Sequence, residues 1–195
     1  ITNYVTVNDV ANVILACGGS PIMADEPDEV QDITAICGGL NINIGTLNKR
    51  TVEAMHLAGA KANELGHAEN LDGAIEFVNG FSKETGAIIA VTGAIDLVSN
   101  GEKCFVIRNG KPEMSKITGT GCQLSGMMTA FITANPDSKF EAAAAAVCTM
   151  GSAGDLALGK MLPGDGNATY RNRIIDTIYN MTGDILDIAA KYEIK

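Results

Sequence analysis

The chain has 195 residues, 46% of them hydrophobic, with 22 glycines and only 5 prolines, enough to bury one sizeable core in an α/β protein with many tight turns. A formal net charge of -9, spread along the chain, argues against nucleic acid or an anionic membrane surface as a main partner. Five cysteines without a C-x-x-C pair suit a reduced, cytoplasmic setting, and two histidines, His56 and His67, argue against a histidine-rich metal cluster. The longest apolar stretch, around Ala142 to Val147, is too short and alanine-rich to span a bilayer, and no charged-then-apolar leader opens the chain.

Val10, Val13, Ile14 and Cys17 have helical spacing, stopped by Gly18-Gly19, with Thr6 or Asn8 as the cap. Ser20-Pro21 leads into the short apolar segment Ile22-Met23-Ala24. Leu40-Asn41-Ile42-Asn43-Ile44-Gly45-Thr46 alternates with period two and predicts a strand with Asn41 and Asn43 on one face. Asn48 caps a helix carrying Val52, Met55, Ala58, Ala62 and Leu65 and ending at Gly66; Asp72 caps another, with Ile75, Val78 and Phe81. Ala87 to Thr92 is a continuous apolar run, the pattern of a strand covered on both faces. Two short strands follow, Asp96 to Ser99 and Lys103 to Arg108, joined by the hairpin signal Asn100-Gly101. Ser138-Lys139-Phe140-Glu141 has capping-box spacing before a long alanine-rich helix, and Ile174, Ile175, Ile178 and Met181 stripe the last clear one. Strands alternating with helices predict a sheet flanked by helices.

Gly119-Thr120-Gly121-Cys122 precedes Leu124, Met127, Met128 and Phe131, which fall at i, i+3, i+4 and i+7. Two glycines running into a helix start bring backbone N–H groups and the positive dipole end together, a recipe for holding an anion. Cys122 stands on the first turn, where the dipole favours its thiolate. By itself the motif also fits an ordinary glycine turn with a buried cysteine behind it. Asn3, ahead of the first helix, offers hydrogen bonds to a small heterocycle. Met23 is either core filler or the lining of an apolar pocket. Thr92-Gly93 lies at the C-terminal end of an apolar strand expected to be central, where open α/β sheets bind ligands.

Taken in order, Ile1-Thr2-Asn3 with Asn8, Ser20-Pro21-Ile22-Met23-Ala24, Asn43-Ile44-Gly45-Thr46-Leu47, Ala90-Val91-Thr92-Gly93 and Gly119-Thr120-Gly121-Cys122 resemble the hydroxyethylthiazole kinases over nearly the whole chain. The resemblance implies a single ribokinase-like kinase domain over residues 1–195, three-layered, with a central mostly parallel sheet. It implies ATP- and magnesium-dependent phosphorylation of the thiazole alcohol in thiamine biosynthesis or salvage. A homotrimer with its thiazole site between subunits is implied as well. Asn3, Val5, Met23 and Gly119 then correspond to the thiazole pocket and Thr92 to an ATP contact. Gly119, Thr120 and Gly121 correspond to the anion hole, and Cys122 occupies the place where sugar-kinase relatives carry an aspartate base.

The chain departs from the family after His67. Gly66-His67-Ala68-Glu69 runs straight into Asn70-Leu71-Asp72-Gly73-Ala74-Ile75, so the aspartate and glutamate that organise magnesium and the arginine that meets ATP have no counterpart. An internal segment near 68–70 and an N-terminal piece are therefore expected to be lacking, and no metal ligand is identifiable. A non-catalytic thiazole-binding trimer would keep the pocket without those carboxylates. A nucleotide-dependent dehydratase of the same fold is a third reading, opposed by the Ile1-Thr2-Asn3 and Gly121-Cys122 signatures.

Overall fold

A computed structural model describes residues 5–24, 27–43 and 70–195. Helix α1 (Val7–Ala16) is followed by α2 (Pro27–Ile36), α3 (Leu71–Thr85), the strands β1 (Ile89–Val91), β2 (Asp96–Ser99) and β3 (Cys104–Ile107), and a short 3-10 turn at Pro112–Lys116. The remainder is helical, with α4 (Thr120–Ala134), α5 (Lys139–Gly159), α6 (Asn167–Tyr179) and α7 (Gly183–Ala189), before β4 (Tyr192–Ile194) closes the sheet.

The described sheet runs β1-β2-β3-β4 and every pairing in it is antiparallel, in place of the mostly parallel sheet expected. Connection length explains the first two pairings. Thr92 to Ile95 join β1 to β2, and Asn100 to Lys103 join β2 to β3. Parallel pairing needs a crossover of a dozen residues or more. The Asn100-Gly101 hairpin forms as its sequence predicts, with the Asn100 side chain accepting from the N–H groups of Glu102 and Lys103 at 3.0 and 2.9 Å.

Alternation along the strands gives the sheet two apolar faces. Leu97, Cys104 and Val106 meet Ile75 and Val78 of α3, whereas Val98, Phe105 and Ile107 join the larger core with α4, α5 and α6. Helices thus cover both faces of this sheet. Phe105 is the hinge of the larger core, its ring 4.9 Å from Phe140 and 5.5 Å from Tyr192. Helix α5 is long and apolar enough to cross a membrane by length and composition, more than its alanine run suggested. With 72% of that stretch buried inside the protein, it is a core helix.

Local signals are partly replaced by others. Asn70, not Asp72, caps α3, its side chain accepting from the Asp72 N–H at 3.1 Å. Ser138 stands at the cap of α5, and Thr6 at that of α1, neither through a side-chain capping bond. Residues 40–43 form no strand; Ile44 to Thr46, and the helix expected after Asn48, lie outside the described residues. Helices α2 and α7 and strand β4 arise where no element was expected.

Candidate active site

Helix α4 begins at Thr120 because Gly119 can turn the chain into it. Gly119 has φ +85°, a left-handed conformation in which a side chain is strained, and a Cβ there would stand 2.7 Å from Thr6 Cγ2. No side chain caps this N-terminus. The first turn therefore keeps its dipole and donor character directed outward, as an anion site requires.

Beside this turn lies a cavity of about 560 Å³, within the usual range for small-molecule sites. Thr92 and Gly93, just after β1, line it together with Thr120 and Gly121. Two of the expected regions, twenty-eight positions apart in the residue numbering, thus face one space. Asn109, Gly110 and Lys111, after β3, and Met150 and Gly151 of α5 complete the lining.

Asp96 belongs to the same cavity, and the sequence motifs did not single it out. Its Oδ1 accepts the Gly93 N–H at 2.8 Å, pinning the turn that carries Thr92. Burial pushes the Asp96 carboxyl up to about 6, an effect the Gly93 N–H partly opposes. No sequence signal marked it, since its side chain reaches back to the Gly93 N–H and not forward as in an ordinary Asx turn. The loop behind it is held equally firmly. Gly110 N–H donates to Asp155 Oδ1 at 3.1 Å, Asn109 Nδ2 donates to the Ala189 carbonyl at 2.9 Å, and Asn109 Oδ1 accepts from the Lys191 N–H at 2.7 Å.

Met23 lies elsewhere. It lines a second cavity, of about 530 Å³, between α1, α2 and α4, together with Cys17, Asn41 and Thr129. Val5 is 81% exposed and, like Gly119 and Cys122, lines neither cavity; Asn3 lies outside the described residues. Cys122 is half-buried on the first turn of α4, as its position in the motif requires. None of the five cysteines is in a disulfide, and burial pushes the thiols of Cys17 and Cys148 up to about 11. Among the described residues no group of three or more His, Cys, Asp or Glu side chains is placed to hold a metal; His56 and His67 fall outside them.

The profile of the hydroxyethylthiazole kinase family matches the chain in two stretches, residues 1–74 and 65–184. The hydroxyethylthiazole kinase of Clostridium acetobutylicum is 46% identical over 253 positions, spanning 99% of this chain and 93% of that protein. That of Clostridium beijerinckii is 35% identical over 248 positions, spanning 96% of this chain and 88% of the relative. Both alignments are longer than the chain itself. Among solved structures, a hydroxyethylthiazole kinase protein from Pyrococcus horikoshii OT3 superimposes with a TM-score of 0.77 at 25% identity, over 100% of this chain and 92% of that one. From the family profile and these near-full-length relatives, the chain belongs to the hydroxyethylthiazole kinase family.

Proposed function

We propose that this chain transfers the γ-phosphoryl group of ATP to the alcohol of 4-methyl-5-(2-hydroxyethyl)thiazole, in thiamine biosynthesis or salvage. The observation that carries the reading is the convergence of Thr92-Gly93 and Thr120-Gly121 on one cavity, in a chain of this family. Phosphoryl transfer needs positioning and charge neutralisation more than covalent chemistry. The uncapped first turn of α4 supplies dipole and N–H groups to the transferring group, and the Thr92 hydroxyl contacts the nucleotide in the same cavity. The alcohol oxygen bonds to the γ-phosphorus as the bond to the bridging oxygen breaks and ADP leaves. Cys122, half-buried on the same first turn as Thr120 and Gly121 though outside the lining of either cavity, is the group assigned to orient the alcohol and take its proton.

Magnesium reaches such sites with the nucleotide phosphates and one or two carboxylates. Among the described residues lining the cavity the one carboxylate is Asp96, whose Oδ1 accepts the Gly93 N–H, so Asp96 would be the one protein carboxylate there to meet a magnesium carried by the phosphates. That single carboxylate favours, as a second reading, a thiazole-binding protein without turnover. The lack of an internal segment near residues 68–70 is supported by the two family matches, which overlap at 65–74. The ribokinase-like layering is supported by helices on both faces of the sheet and by the superposition on the Pyrococcus structure. A homotrimer with thiazole sites at its interfaces is supported by exposed apolar side chains, among them Val5, Ile36 and Ile42 toward the N-terminus and Leu162 and Ile188 toward the C-terminus. Cysteines outside any disulfide support a cytoplasmic location.

The test is formation of the thiazole phosphate from ATP by the purified chain, followed by mass spectrometry. Cys122→Ala is expected to lower kcat by roughly 10²–10³-fold with a much smaller change in KM, the usual weight of proton transfer in such a step. Thiazole binding without any phosphorylated product from the unaltered chain would replace the kinase reading with the binding-protein one.

A further inference from the structure

We infer that Lys111 is the cation that neutralises phosphate charge in the 560 Å³ cavity, a role that rests on the proposal that this cavity takes the nucleotide. Among the described residues lining the cavity, Lys111 is the one basic side chain. Its cationic neighbours are committed elsewhere. Arg108 pairs with Glu193 at 3.0 Å and Lys191 with Asp155 at 3.3 Å, whereas Lys111 makes no ion pair among the described residues. A chain with a net charge of -9 repels a polyphosphate at long range, so a local cation is needed to hold one.

The backbone that carries Lys111 is fixed rather than loose. Gly110 beside it is tied to Asp155 on α5, Asn109 is buried and bonded to the chain on either side of Ala190, and the Lys111 carbonyl accepts the Met114 N–H at 3.0 Å. The Lys111 side chain thus starts from a rigid base in the lining of the cavity that Thr120 and Gly121 also line. Dipole and cation converge on one space, the arrangement that phosphate sites share. Family motifs would not reveal it, because Lys111 lies between the Thr92 and Gly119 motifs and belongs to neither.

Titration calorimetry with ATP, with inorganic tripolyphosphate and with the thiazole alcohol separates the possibilities. Lys111→Met keeps the stem at an exposed position and removes the charge, so it should fold as the parent does by circular dichroism. It is expected to weaken ATP and tripolyphosphate about tenfold or more, the weight of one charge-assisted contact, and to leave thiazole affinity unchanged. Lys111→Arg should restore most of the loss. Parental affinity of Lys111→Met for both anions would overturn the inference, as would an unaltered chain that binds neither anion. Normal thiazole phosphorylation by Lys111→Met at an unchanged ATP KM would overturn the inference and leave the kinase reading standing. Lys111-dependent tripolyphosphate binding without any thiazole phosphate formed would uphold the inference and remove the kinase reading.

Discussion

Asp96→Asn isolates the energetic cost of keeping a carboxylate at the cavity wall. Burial raises the Asp96 pKa from 3.8 to about 6, so folding favours the protonated form. The sign follows by linkage: this contribution to stability is fully present below the unfolded pKa of 3.8 and is lost as pH rises through about 6. At 1.36 kcal/mol per pH unit the ceiling is about 3 kcal/mol, and water entering the open cavity reduces the expected value to about 1–2 kcal/mol. Asparagine is neutral at every pH, and its Oδ1 can still accept the Gly93 N–H. Cys148, which feels the Asp96 charge, stays a thiol across the window because its own pKa is pushed to about 11. Urea unfolding of both proteins from about pH 4 to pH 7.5 should show Asp96→Asn the more stable at neutral pH, with the advantage vanishing near pH 4. Parallel stability curves over that range would refute the reasoning.

Gly151→Ala and Gly154→Ala should differ sharply in urea midpoint although both lie on α5. At Gly151 a methyl group would stand 2.6 Å from Asn109 Cβ and 2.9 Å from its backbone carbon, so the β3 loop must move, at a cost of about 3 kcal/mol. At Gly154 the obstacle is the flexible end of Met114, which can turn aside for about 1 kcal/mol. Met23→Ala should weaken thiazole binding by about 1–2 kcal/mol with ATP affinity unchanged, as calorimetry would record, because Met23 lines the apolar cavity and not the nucleotide side.

Elements whose order is local were legible in the sequence. Helices α1, α4, α5 and α6 follow their apolar periods, and the β2–β3 hairpin follows Asn100-Gly101. Strand direction was not, because a short apolar run looks the same in either kind of sheet; only the four-residue connections decide it. Strand β4 is three residues long and acquires meaning from its pairing with β3, more than eighty residues earlier. The same division holds at the site. Thr92 and the Gly119 to Cys122 turn could be named from motifs, but their shared cavity depends on tertiary packing. Lys111 and Asp155 carry no local signal, since what matters is a bond between Gly110 and a carboxylate 45 residues away.

The pairing of β4 with β3 also has a consequence for the order of folding. Cys104 and Lys195 exchange both backbone hydrogen bonds at 2.9 Å, and Lys191 meets Asn109 across a separation of 82 residues. Closing a loop of that length costs about 4 kcal/mol of chain entropy before any contact within it compensates. Helices α4 to α7 must therefore condense first and shorten the effective distance, leaving the sheet edge to zip up last. The wall of the nucleotide-side cavity, anchored by Asn109 to that final strand, would then be completed only at the end of folding.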